Sequence, residues 1–236
     1  MTTTKSHDIH RDSDSEKLGH RFKEAALRLK SRPDYTASTT SYAPYGCVRE
    51  RVVIGECTKI NGGVYFGSPA HEAVVVDEDY GQLHPAYMQL MVLFARDHKN
   101  KKKVEPEILP YIVELVTQKL RFSTEKVSTL HEKMQVEIDQ KVALDMYLKE
   151  GVGLARHQVL LAAYLLEKLK MRGFIEGCWY IESRYTPDAP HSEKLIYTDA
   201  NGDLFTFDPI RERARFLDEG VKLCNEDIEQ LITTKE

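Results

Sequence analysis

A histidine at position 191, an aspartate at position 208 and a glycine-rich approach to position 155 are the features of this chain whose types could act together. The approach is "EGVGLARHQVLLAAYLLEKL", Glu150 to Leu169. Gly151 and Gly153 free the backbone for turning and close approach. Arg156, His157 and Gln158 are polar, and Val159 to Leu166 are all apolar or aromatic. A segment apolar on every side reads as a helix in the centre of a domain. The N-terminus of such a helix offers free N–H groups and a dipole that favour an anion, which suits a nucleophile. The residue there is Ala155. Its methyl group does no chemistry.

Downstream, "HSEKLIYTDANGDLFTFDPI" reads as a hairpin with arms Leu195 to Thr198 and Leu204 to Phe207 around Asp199-Ala200-Asn201-Gly202. His191 and Asp208 flank those arms, so closing the hairpin is expected to bring them to one edge. A histidine oriented by a carboxylate and facing a helix start is the base-and-orienter half of a nucleophilic triad. Taken singly, each residue has a plainer role. Asp208 before Pro209 fits turn chemistry, and His191 after Pro190 fits a loop cap. His157 points about 100° away from its helical neighbour, which suits binding local backbone or shaping the pocket. "DANGDLFTFD" lacks the sixth-position glycine and the twelfth-position acid of a calcium loop.

Taken jointly, "EGVGLARHQVLLAAYLL" followed by the histidine and "NGDLFTFDP" resembles the transglutaminase-like, papain-related superfamily of cysteine enzymes. The resemblance covers roughly residues 140 to 210. It puts Ala155 where the family has its catalytic cysteine, His191 in the histidine's place and Asp208 in the aspartate's. Gly151, Gly153, Arg156, His157 and Gln158 become the pocket-shaping flanks. Two departures stand out: the alanine, and Ser192-Glu193-Lys194 after the histidine in place of a small residue and an aromatic. With cysteine at position 155, the helix start and an imidazole would lower the thiol from about 8.5 into roughly the 3.5–7.5 range. The thiolate would attack an amide carbonyl, with His191 protonating the leaving amine and Asp208 holding its tautomer. The expectation is therefore a cysteine-dependent acyl-transfer enzyme (transglutaminase, deamidase or protease) acting on a protein or peptide, inactive here through an alanine replacement. The alternative is a natural pseudoenzyme or binding module that uses the groove to hold a protein partner. Neither reading asks for a cofactor or a metal.

The elements that must position these residues are partly legible. Residues 1–14 are Thr, Ser, Asp and His with little apolar content, a disordered tail. Residues 15–45 carry an amphipathic segment, with Leu18, Phe22, Ala25, Ala26 and Leu29 on one stripe, and a turn-rich linker from Pro33. Its basic flanks suit a membrane surface or a partner groove, but packing back on its own domain is the favoured reading. Residues 46–140 form an N-terminal α/β lobe with no family resemblance. Short β-branched runs lie near Val52 to Ile54, Val64 to Phe66 and Val74 to Val76, then helices over Pro85 to His98, Pro110 to Arg121 and Thr124 to Gln135. Residues 141–236 form the transglutaminase-like core, with Gly173 ending the central helix and strand composition to Thr186. The fold class is α+β: a buried central helix packed on an antiparallel sheet, with a helix-rich N-terminal part.

The chain has 236 residues, 42% of them hydrophobic, enough for one sizeable core. A net charge of −4 argues against a general nucleic-acid-binding surface. The four cysteines, Cys47, Cys57, Cys178 and Cys224, show no zinc or disulfide spacing and read as idle thiols of a reducing compartment. "MTTTKSHDIHRDSDSEK" lacks a signal-peptide core, so a cytoplasmic location is expected.

Overall fold

The computed structural model describes residues 31, 33–38, 45–55, 58–66, 71–97, 105, 107–186, 189–209 and 213–216, with the backbone alone for 97, 182–186, 189–192 and 213–216. The expected tail, the amphipathic stripe from Leu18 to Leu29, the cluster Lys99 to Lys103, Cys57 and Cys224 lie outside the described residues.

Three sheets and five α-helices make up the described structure, a mixed α and β architecture. The first sheet has six strands in sequence order: β1 (Tyr35–Thr36), β2 (Cys47–Val48), β3 (Arg51–Ile54), β4 (Gly63–Tyr65), β5 (Ala73–Val76) and β7 (Lys141–Ala143). β3 with β4 and β5 with β7 run parallel; the other pairs are antiparallel. The expected β-branched runs are thus strands. They read as continuous apolar runs because both faces are covered. Val74 and Val76 face the main core, while Ala73 and Val75 join Val48, Val53, Val64 and Phe66 on the other side.

Between β5 and β7 lie a short 3-10 turn (Glu78–Tyr80), α1 (Leu83–Asp97), α2 (Leu109–Lys119) and α3 (Thr124–Met134). Pro85 and Pro110 sit in first turns, where a missing N–H breaks no helical bond. Ser123 caps α3, its hydroxyl accepting the Lys126 N–H at 3.2 Å. α2 ends two residues before the expected Arg121. There Arg121 N–H turns to the carbonyl of Gly151, and β6 (Arg121–Phe122) pairs in parallel with β8 (Val152–Gly153).

After β7 comes α4 (Leu144–Glu150), a helix the hydrophobic pattern did not separate from the approach that follows it. α5 (Ala155–Met171) is the central helix, with every residue from Ala155 to Leu169 buried. It packs on α1, α2 and α4, and on the second sheet. That sheet is an antiparallel meander ordered β12 (Arg213–Phe216), β11 (Leu204–Asp208), β10 (Ala189–Thr198), β9 (Cys178–Thr186). A buried helix on an antiparallel sheet is what the composition implied. The hairpin turn is held by Asp199, whose carboxylate accepts the N–H groups of Asn201 at 2.8 Å and Asp203 at 2.9 Å.

The main core is continuous from the first sheet through the helices to the second sheet. It contains Ile54 and Val74 of the first sheet, all five helices, and Ile181, Leu195 and Phe207 of the second. β7 lies beyond position 140 and still completes the first sheet. No described helix is long and apolar enough to cross a membrane.

Candidate functional site

The glycine-rich approach does specific geometric work. Gly151 ends α4 at a φ of 65°, in the left-handed region. A Cβ on Gly153 would stand 3.2 Å from the Cβ atoms of both His157 and Leu120, so glycine lets β8 press between α2 and α5. Leu154 is extended, with φ −110° and ψ 176°, and Ala155 is the first helical residue. The backbone N–H of Leu154 donates to Nδ1 of His157 at 2.9 Å. His157 therefore caps its own helix, and the ring proton resides on Nε2.

That proton is donated to Glu72, directly before β5, at 2.9 Å from Oε1. Arg156 grips the same carboxylate with Nε to Oε1 and Nη2 to Oε2, both at 2.9 Å. Tyr147 of α4 donates its hydroxyl to Oε1 at 3.2 Å and lies 2.7 Å from His131 Nε2 on α3. The Tyr147 ring stacks on His157, centroids 3.8 Å apart. The Glu72 side chain is 1% exposed, and His157 is fully enclosed. A buried charge requires this density of partners, because an isolated carboxylate in such a site would take up a proton.

The electrostatics follow. Burial works to raise Glu72, but the His157 hydrogen bond and the charge of Arg156 outweigh it and hold the carboxyl well below the usual range. Burial pushes His157 down to about 4 against the pull of Glu72, so its imidazole is neutral at pH 7. Burial also lowers His131 and raises Tyr147, which the negative Glu72 raises further. Above this network opens a cleft of about 100 Å³ lined by His71, Glu72, His131, Val136, Glu137 and Ile138. Ile138 is 64% exposed at its rim.

A second cluster faces the first from β10. Strand alternation turns Glu193, Leu195 and Tyr197 inward and Lys194 outward. Glu193 accepts the hydroxyl of Tyr65 on β4 at 3.0 Å, joining the two sheets. Burial pushes its carboxyl up to about 7, and the negative Glu72 adds to this, while Arg156 and Tyr65 oppose it.

The structure brings Gly153, Ala155, Arg156, His157 and Gln158 together at the helix start. The side chains of Arg156, His157 and Gln158 make internal bonds: Gln158 Nε2, for example, donates to the Leu120 carbonyl at 2.6 Å. Asp208 ends β11 and is buried. Leu195 pairs with Phe207, which sets Lys194 against Asp208, with Nζ 3.1 Å from Oδ2. His191 lies three residues before Lys194 on β10, where the strand register is irregular between Ala189 and Ser192. The His191 side chain lies outside the described residues. Sequence reasoning missed Glu72, Tyr147, His131 and Glu193. Only the lone acid before an apolar strand, Glu72 ahead of "AVVV", was a usable signal.

Compared with protein-family models, curated proteins and solved structures, the chain matches none of them.

Proposed function

We propose that this chain is a protein-binding module on a transglutaminase-like, papain-related scaffold that holds a peptide rather than cleaving or transferring an acyl group. The observation that carries this reading is the pairing of Lys194 with Asp208 at 3.1 Å. The carboxylate that the resemblance assigns to an imidazole has the Lys194 ammonium beside it. An ammonium at neutral pH has no lone pair to act as base. Ala155 supplies no nucleophile, Arg156 and His157 are spent on Glu72, and the Gln158 amide is spent on the Leu120 carbonyl. The cleft beside Ile138 is lined mainly by polar groups, with Val136 and Ile138 on its apolar side, and would take a small polar side chain of a peptide.

One observation favours the second reading, a cysteine-dependent transglutaminase, deamidase or protease lacking its sulfur. Ala155 is the first residue of α5, behind an extended Leu154, where a thiolate would feel the helix dipole. The variant Ala155→Cys separates the two. Cys178 is exposed and Cys47 half-buried, so the experiment is run in a Cys178→Ser background. On the binding reading the new thiol reacts with iodoacetamide at pH 6 no faster than a free thiol. A fast reaction that disappears with His191→Ala would overturn it in favour of the enzyme. In parallel, a peptide library screened against the unmodified chain should yield binders that Ile138→Asp weakens about tenfold or more. A library without binders counts against the module.

A further inference from the structure

We propose that the cleft above Glu72 is a threonine pocket, in which Nδ1 of His131 accepts the ligand hydroxyl while Val136 and Ile138 take its methyl group. The assignment rests on the reading of this cleft as a peptide site, and it names the side chain that enters.

Proton accounting fixes what the cleft asks for. Glu72 is ionised, and an ionised carboxylate only accepts. The single hydroxyl proton of Tyr147 therefore goes to Glu72 Oε1, 3.2 Å away. The Tyr147 oxygen is left to accept, and the group facing it at 2.7 Å is His131 Nε2. Burial keeps His131 neutral at pH 7. Its one ring proton thus sits on Nε2, and Nδ1 is a lone pair. Among the described residues, Nδ1 has no hydrogen-bond partner. The His131 side chain is 21% exposed, and the cleft is where it meets a ligand. The same lining holds the carboxylates of Glu72 and Glu137, which also accept. A group that enters must therefore donate.

The apolar side is set before any ligand arrives. Val136 N–H donates to the His131 carbonyl at 2.9 Å, and Asp139 N–H to the His71 carbonyl at 3.1 Å. Ala73 N–H ties the end of the loop to the Gln140 carbonyl at 2.8 Å. A wall fixed in this way lowers the ordering cost of binding. Threonine carries a hydroxyl and a methyl on one carbon, so one small side chain meets both sides of a cleft of about 100 Å³. Valine has the same shape without the donor, and serine has the donor without the methyl. A site that hydrogen-bonds a hydroxyl rejects the analogue lacking it more strongly than one lacking a methyl.

The probes are the N-acetyl methylamides of threonine, valine and serine, added to the full, uniformly ¹⁵N-labelled chain. In the free chain at pH 7, His131 should show a protonated Nε2 and an unprotonated Nδ1. The threonine probe should shift the Nδ1 signal saturably. Valine should bind at least about tenfold more weakly, and serine about threefold more weakly. In His131→Phe, threonine and valine should bind alike, read from the backbone amide signals of Glu137 and Ile138. If His131→Phe fails to fold, the tautomer and the threonine-to-valine ratio in the parent chain decide. A proton on Nδ1, equal affinities for threonine and valine, or no saturable threonine binding overturns the pocket. Library peptides that Ile138→Asp weakens, but that do not distinguish threonine from valine, would overturn the pocket and leave the binding module standing.

Discussion

Arg156 and Glu72 meet through two parallel hydrogen bonds of 2.9 Å, tying the first turn of the central helix to the strand that begins at Ala73. The pair is bidentate, the geometry in which a guanidinium and a carboxylate bind most strongly. It is also buried, so its value lies in the cost of breaking it rather than in the cost of lacking it.

Glu72→Ala should therefore destabilise the protein by about 3–5 kcal/mol, because it leaves the Arg156 charge buried without its partner. Removing both charges, as Glu72→Met with Arg156→Met, should recover much of that loss. Urea denaturation of the two single variants and the double variant gives the coupling directly. Additive losses would show that the pair does not act as a unit.

His157 should remain neutral, with its proton on Nε2, well below the usual histidine midpoint. Its folded value of about 4 lies below the ordinary 6.5, so the unfolded chain takes up the extra proton. Stability from this group is present above 6.5 and is lost as pH falls toward 4. Glu72 acts in the same direction, its depressed carboxyl losing its contribution as pH falls below the ordinary 4.5. Long-range ¹H–¹⁵N spectra from pH 7 to 4 would report the tautomer, and His157→Gln should flatten the acid limb of the unfolding curve.

The two glycines of the approach should respond to alanine for different reasons. At Gly153 the added methyl meets His157 and Leu120 at 3.2 Å, so Gly153→Ala should cost about 1–3 kcal/mol by overpacking. It should also disturb the His157 ring. At Gly151 the nearest atom is the Lys119 carbonyl oxygen at 4.0 Å, and the strain comes from the φ of 65°. Gly151→Ala should cost about 1–2 kcal/mol, with the His157 signals unchanged. Thermal unfolding combined with the imidazole spectra separates the two effects.

The sequence by itself determined the local elements. Val159 to Leu166, apolar on every side, made α5 a buried helix, because no surface position tolerates such a run. The β-branched runs at 52–54, 64–66 and 74–76 became β3, β4 and β5. The hairpin turn followed from Asp199 and its own carboxylate. These depend on neighbours within a few residues, and a linear reading sees those. The tertiary structure decided which charges meet. Glu72 and Arg156 are 84 positions apart, and Tyr65 and Glu193 are 128 apart. No period or motif links residues at that distance; only the packing of α5 between the two sheets does. Register decided the rest. A hairpin pattern says that two arms pair, but the loop that joins them sets which residues oppose. Here Leu195 against Phe207 puts Lys194 beside Asp208.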